Sequence, residues 1–244
     1  VSMAGWVEPD YDLRPDYESV ETRCDGLDND CDSVTDEGFV DTDLDGVRDC
    51  VDPDDDGDGI ADPADNCPLV DNHAQADFDR DHWGDACDSD DDNDGDLDGT
   101  DCAPQNAAVR HGAPDAPDDG FADTDCDGID GKESESVFVS PSGNNRNPGT
   151  RESPVRTIGG GLARARATPG RTRVLIAAGT YDEVLEFVDG IHVHGGYASD
   201  WTRSASQGVV IRGSSVGALA TGITASTLVE RLTIRSTAAN AAGE

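Results

Sequence analysis

The feature that most constrains this chain is a spacing of aspartates, D-x-D-x-D-G-x-x-D-x-x-D, which returns several times in its first half. Asp41, Asp43, Asp45, Gly46, Asp49 and Asp52 fill every position. So do Asp54, Asp56, Asp58, Gly59, Asp62 and Asp65, and again Asp90, Asp92, Asp94, Gly95, Asp98 and Asp101. Asp77, Asp79, Asp81, Asp85 and Asp88 fit with His82 in place of the glycine. Two partial copies flank these. Asp28, Asp30, Asp32 and Asp36 keep four positions with Ser33 for glycine, and Asp123, Asp125, Asp127 and Gly128 keep the first half with Gly131 in ninth place. Carboxylates at alternate positions of a tight loop turn inward around one hard cation, and calcium accepts about six to eight oxygens. The glycine permits the turn, and the residue after it, Val47, Ile60 or Asp96, can add a backbone carbonyl. An EF-hand would close on glutamate between amphipathic helices, whereas here the twelfth position is aspartate and the flanks are further loops. Magnesium, which keeps its waters, suits such a cage poorly. We therefore expect several Ca2+ ions on the aspartates named. A disordered acidic tail, the competing reading, has no reason to keep glycine in register with aspartate.

The charge is unevenly placed. Residues 1–136 carry 45 acidic and 6 basic side chains, whereas residues 137–244 carry 8 and 11. We read 1–20 as a linker or the end of a preceding domain, 21–136 as a cation-binding stalk, and 137–244 as a second domain. The abrupt start and the end in mid-pattern lead us to expect an excerpt of a longer secreted protein. A polyanionic stalk repels nucleic acid, which is not expected as a partner. No apolar run has the length of a signal peptide or a membrane span, so direct membrane insertion is not expected of this segment. All seven cysteines fall in the acidic part, without the paired spacing of a zinc site. Disulfides take over where a core is lacking, which places the chain in an oxidising compartment, extracellular or at the cell surface.

The run Asn66-Cys67-Pro68-Leu69-Val70-Asp71-Asn72-His73-Ala74-Gln75-Ala76-Asp77, continued by Gly84-Asp85-Ala86-Cys87-Asp88, resembles thrombospondin type 3 repeats over about residues 39–101. The resemblance implies chain wrapped around ions with almost no regular secondary structure, and a Cys67–Cys87 disulfide. Both ends are similar to a second family, a cysteine-containing metal-binding repeat of bacterial surface proteins. Its marks are Cys24-Asp25-Gly26-Leu27-Asp28-Asn29-Asp30-Cys31-Asp32 with Asp36-Glu37-Gly38, then Gly99-Thr100-Asp101-Cys102, Gly112-Ala113-Pro114 and Asp123-Thr124-Asp125-Cys126-Asp127-Gly128. On that likeness we expect Cys102 to pair with Cys126 and Cys24 with Cys31, leaving Cys50 over.

From Val137 the texture changes. Val137 to Val139 is a short strand, and Ser153-Pro154 has the form of a helix start ahead of Leu162, Ala163, Ala165 and Ala167, ended by Pro169-Gly170. Short apolar runs begin at Val174, Ile191, Val209 and Leu228, with another at Val184 to Val188. Their near-constant spacing predicts a solenoid of β coils; a sandwich or barrel is the alternative. The stretches Val139-Ser140-Pro141-Ser142-Gly143, Gly149 to Ile158, Ala177-Ala178-Gly179-Thr180-Tyr181 and His194-Gly195-Gly196-Tyr197 resemble right-handed parallel β-helix proteins of the pectate-lyase-like class. The fold class expected is thus an irregular, calcium-stabilised, disulfide-linked repeat region followed by an all-β right-handed parallel β-helix. The resemblance makes the helix a cap on the first coil. We expect further coils after Glu244, and an unprotected edge on the last coil here.

Such β-helix proteins include polysaccharide lyases and hydrolases, which makes Glu183, Glu186 and Asp189, with Arg212, Arg231 and Arg235, candidates for catalysis. They read better as solvent-facing positions alternating with apolar ones. His192 and His194 could pair on a metal, but an outward face with Ile191 and Val193 turned inward explains them better. Trp201 and Tyr197 suit packing of a loop better than stacking on a sugar. The expected function is an extracellular, calcium-binding structural or adhesive protein rather than an enzyme. A rigid stalk would present a β-helix to polysaccharide, to other surface proteins or to copies of itself. The alternative is a secreted polysaccharide lyase or hydrolase with a calcium-binding linker.

Overall fold

The computed structural model describes residues 17–236. Most of the segment read as a linker, and the last residues of the second domain, lie outside that span. The chain divides into two compact units, Val1–Gly99 and Thr100–Glu244. The change of charge near residue 136 falls inside the second unit.

In the first unit the described residues form turns and bends, with one 3-10 turn at Asp62–Ala64 and neither a strand nor an α-helix. This reflects composition. Leu44, Val47, Phe78, Trp83 and Leu97 are exposed, and Cys67 is the one buried apolar residue among those described. Two disulfides cross-link this chain, Cys67–Cys87 with a Cα separation of 5.7 Å and Cys24–Cys50 with 6.1 Å. The second corrects the expected Cys24–Cys31 pairing. Cys31 occupies the fourth position of its aspartate loop, with φ of 64°, and is exposed and free. Cys50 instead brings its Cα within bridging range of Cys24.

Among its described residues the second unit contains strands β1 (Ser136–Val139), β2 (Arg173–Ala177), β3 (Gly179–Tyr181), β4 (Leu185–Glu186), β5 (His192–Tyr197), β6 (Val209–Gly213), β7 (Ala218–Leu219), β8 (Val229–Glu230) and β9 (Leu232–Ser236), with one α-helix, α1 (Ile158–Ala167), and a 3-10 turn at Glu133–Glu135. They build three sheets ordered β1-β2-β5-β8, β3-β6-β9 and β4-β7. Every pairing between these strands is parallel. The chain thus visits the three sheets in rotation, β2-β3-β4 and then β5-β6-β7, before starting again with β8-β9. Parallel neighbours need a crossover, and here the crossover is the remainder of each circuit.

The regular spacing of apolar runs is therefore only partly a structural period. Val174 and Val193 stack in one sheet, whereas the run at Val209 belongs to the next. The run from Leu228 to Ile234 is split between β8 and β9, with Arg231 at φ 53° marking the corner. The helix also starts later than Ser153-Pro154. Val155 bridges Val139 in a strand-like segment, and Thr157 is the N-cap, accepting the Gly160 N–H. Glycines at the head of α1 lower helix propensity. Gly161 is nonetheless required, since a Cβ there would lie 2.5 Å from Val139 Cγ2.

One core cluster, including Val137, Val139, Ile158, Leu162, Val174, Ile176, Leu185, Val193, Val209 and Ile211, fills the space inside the sheets. A second lies on the other face of β1, β2 and β5, where Phe138, Leu175, Ala177, Tyr197 and Trp201 bury Ile129 from the aspartate-rich segment. β2 is consequently apolar on both faces, which a half-exposed strand would not be.

Candidate metal centres

The aspartate loops are shaped by recurring hydrogen bonds between carboxylates and backbone. At the first position, Asp28 accepts from the N–H groups of Asp32 (3.1 Å) and Ser33 (3.0 Å). Asp54 accepts from Gly59 (3.1 Å), Asp90 from Gly95 (3.1 Å), and Asp123 from Asp127 (3.2 Å) and Gly128 (2.8 Å). At the third position, Asp43, Asp56 and Asp79 each accept from the aspartate two residues on. At the fifth, Asp45, Asp58, Asp81 and Asp127 accept from Val47, Ile60, Trp83 and Ile129. Asp52, Asp65, Asp88 and Asp101, at the twelfth, repeat this with Asp54, Cys67, Asp90 and Ala103.

The ninth aspartate closes the loop. Asp49, Asp62, Asp85 and Asp98 donate their N–H to Val40, Pro53, Ala76 and Ser89, the residues just before each loop. Their carboxylates accept from Thr42, Asp55, Phe78 and Asp91. These bonds hold the loop as a ring, and at Asp54, Asp56 and Asp65 they engage one carboxylate oxygen and leave the other without a partner.

The geometry requires left-handed backbone twice per loop. At the sixth position Gly46, Gly59, Gly95 and Gly128 have φ between 88° and 100°, and Ser33 (82°) and His82 (87°) adopt the same conformation without being glycine. At the fourth, Cys31, Leu44, Gly57, Arg80, Asn93 and Cys126 all lie between 56° and 72°. Only one of these six is glycine. Each side chain held there costs about 1–2 kcal/mol, so something in the folded loop over-determines the backbone.

Asp28/Asp30/Asp32, Asp41/Asp43/Asp45 and Asp54/Asp56/Asp58 each bring three carboxylate oxygens within 4.8 Å of one another. Asp41 Oδ1, Asp54 Oδ1, Asp56 Oδ2, Asp65 Oδ2, Asp101 Oδ2 and Asp125 Oδ1 are buried from solvent and accept no hydrogen bond. An unpartnered buried carboxylate oxygen is costly. A hard cation offers each of these oxygens a partner, and an all-carboxylate donor set fits such an ion. The electrostatics agree. Burial raises the Asp56 carboxyl above its ordinary value, with Asp58, Asp65 and Asp54 adding to the rise. Asp125 is pushed up to about 6 by burial and by Asp127 and Asp115.

Some expected ligands serve the turn instead of facing a cluster. Both oxygens of Asp36 accept backbone N–H groups, from Asp25 (3.0 Å) and Gly26 (2.9 Å). Asp101 lies beside Cys102 and Cys126, but those sulfurs form a disulfide with Cα atoms 5.7 Å apart, so only the carboxylate remains a cation donor. Asp55, at a second position, lies outside the aspartate pattern that marks the other ligands. Its Oδ1 is buried without a partner, and burial followed by Asp62, Asp49 and Asp52 raises its carboxyl. No regular signal points to it, since that position holds Thr42, Phe78 or Asp91 in the other copies.

The candidate catalytic residues of the second unit are dispersed. Glu183 accepts from the N–H groups of Ile158 and Gly159 at 2.8 Å each and so caps the start of α1. Asp189 accepts from Thr224 and Ala225, and these bonds hold its carboxyl below the ordinary range. Arg212 lies 3.9 Å from exposed Asp182, and Arg231 pairs with Asp119 while lying over Phe121. His194 is buried rather than outward-facing, with Nδ1 2.8 Å from Glu230, and burial lowers its pKa against the pull of that carboxylate. The reason is the cover on this sheet. Arg203, fully buried, donates to Asp130 Oδ2 (2.8 Å) and to the Asp118 carbonyl (2.9 Å), and also pairs with Glu230. Tyr197 donates to the Asp130 carbonyl at 2.6 Å, and Trp201 to that of Arg151 at 3.1 Å. Both rings are buried packing residues.

Comparison with protein families gives two kinds of match, of which the first runs across the boundary between the units. Residues 40–75 and 76–111 match the thrombospondin type 3 repeat. Residues 141–200 match a protein family of unknown function, DUF1565, which is of the pectate-lyase-like β-helix kind. No curated protein matches the chain. The loops at Asp28–Asp36 and Asp123–Asp127 fall outside both matches.

Proposed function

We propose that this is an extracellular calcium-binding structural protein, whose aspartate loops fold around Ca2+ and hold a right-handed parallel β-helix at a surface. The observation that carries the reading is the row of buried carboxylate oxygens without a hydrogen-bond partner on Asp41, Asp54, Asp56, Asp65, Asp101 and Asp125. Each belongs to a loop whose remaining carboxylate oxygens shape the backbone. Because the ion binds the folded loop and not the extended chain, its binding free energy becomes folding free energy. The thrombospondin type 3 match and the three disulfides support an extracellular setting. No helix among the described residues is long and apolar enough to cross a membrane.

The rotation of the chain through three parallel sheets, together with the DUF1565 match, supports the β-helix. Its role in this reading is contact with polysaccharide or with neighbouring copies. Calorimetric titration of the metal-free chain with calcium and with magnesium tests the metal reading. Calcium is expected to bind at several sites and magnesium weakly; a chain that takes up neither overturns it. Immobilised acidic and neutral polysaccharides, and light scattering in calcium, test the surface role. Retention or calcium-dependent assembly supports it, and turnover of a polysaccharide would replace it with an enzymatic one.

A further inference from the structure

We propose that Glu21 and Glu37, which stand outside the aspartate pattern, form with Asp30 a further divalent-cation site, which takes calcium and shares Asp30 with the neighbouring Asp28/Asp30/Asp32 group. The inference rests on the reading that the aspartate loops bind calcium, but its residues belong to neither family match. One carboxylate oxygen from each of the three lies within 4.8 Å of the other two. Glu21 is 6% exposed, and its Oε2 is buried and accepts no hydrogen bond. Glu37 Oε2 is likewise buried and unpartnered.

The position of Glu21 is fixed by its other oxygen. Oε1 accepts the N–H groups of Asn29 and Asp30, and Glu18 donates its N–H to the Asn29 carbonyl at 3.0 Å. The segment before the first disulfide is thereby laid along the loop, with the second Glu21 oxygen left without a hydrogen-bond partner. Three converging carboxylates repel one another unless a cation lies between them. The donor set holds only hard oxygens, which favours calcium over metals that prefer imidazole or thiolate. Asp30 Oδ1 accepts the Asp32 N–H at 3.1 Å, and the Asp30 carboxylate belongs to both groups of three. A bridging carboxylate of this kind accommodates two ions. The site would tie Glu21, ahead of Cys24, to Glu37, beyond the loop.

Native mass spectrometry of the full chain in calcium counts the ions. A Glu21→Gln/Glu37→Gln variant is expected to lose one ion, an Asp28→Asn/Asp32→Asn variant another, and the combination two. Glu21→Asp keeps the charge but withdraws the carboxylate by one methylene, and is expected to lose the same ion while the Cys24–Cys50 disulfide still maps correctly. The wild-type count retained in the glutamate variants would overturn the site. So would a combined variant that loses a single ion, because Glu21 and Glu37 would then serve the ion of the loop itself. A wild-type chain that binds no calcium would instead overturn the underlying reading of the aspartate loops.

Discussion

The same aspartate loop occurs in both units of this protein and meets different fates. In the first unit the residue after the sixth position is not buried: Val47 is 41% exposed and Trp83 62%, and Ile60 is half-buried. In the second unit the equivalent residue is Ile129, 2% exposed among Phe138, Leu175, Tyr197 and Trp201. The first half of the loop is the same in its hydrogen bonds and in its two left-handed residues, while Gly131 stands where the full copies have their ninth aspartate. The difference lies in the chain just beyond it. Asp130 and Gly131 run onto the β unit, where Arg203, Tyr197 and Asp115 hold them. The first unit is held by carboxylate–backbone hydrogen bonds and two disulfides, with scarcely any core. The other uses the same loop as the edge of an apolar cluster. A loop of this kind therefore does not by itself determine how much its surroundings depend on metal.

Arg203→Ala leaves Asp130 buried and uncompensated, and is expected to destabilise the second unit by about 3–5 kcal/mol. Denaturant unfolding of the full chain should show the transition of the β unit shifted and that of the first unit unmoved. Ile129→Ala opens a cavity in the second cluster and is expected to cost about 2–4 kcal/mol. Val47→Ala, at the equivalent but exposed position, should cost less than about 0.5 kcal/mol.

A pH effect comes next. The Asp125 carboxyl lies at about 6 against an ordinary 3.8, raised by burial, Asp127 and Asp115. A proton therefore binds the folded form more tightly than the unfolded one. The stabilisation is present below the ordinary value and is lost as pH rises through about 6. In EDTA the melting temperature of the second unit should rise as pH falls from about 7 to 5. With calcium bound, the ion takes the place of the proton and this dependence should flatten. Asp125→Asn should reduce it in EDTA. The smallest effect is local. His82→Gly and Arg80→Gly each relieve a left-handed side chain and are expected to stabilise the calcium-bound loop by about 0.5–1 kcal/mol, read as a small rise in the calcium-loaded melting temperature.

Much of this is legible in the sequence, for identifiable reasons. Aspartate spacing exposes a loop whose side chains do the folding, so the three full copies with glycine at the sixth position, and the fourth with His82 there, can be read directly. The left-handed fourth position cannot, because Leu44, Arg80 and Asn93 carry no mark of it. Cys102–Cys126 and Cys67–Cys87 agree with the family likeness, whereas Cys24–Cys50 joins different repeats and depends on tertiary placement. In the second unit, apolar runs locate most strands but not their sheets, since Val209 and Val193 look alike in a sequence and sit in different sheets. The burial of His194 is hidden for the same reason. A strand seen alone gives no sign that Ile129, Asp130 and Arg203 cover its outer face. Glu21 stands outside the repeating pattern, and Glu37, though among the marks of the second family likeness, is not at one of the pattern's aspartate positions.

The most direct test of the account is amide hydrogen exchange of the full chain, in millimolar calcium and then in excess EDTA. The account predicts that chelation strips protection from amides bonded to the loop carboxylates, such as Gly59, Asp55 and Gly95, while Val174 and Val193 in the β unit remain protected. Equal protection of the loop amides in both conditions would contradict it, since the carboxylate loops would then fold without cations.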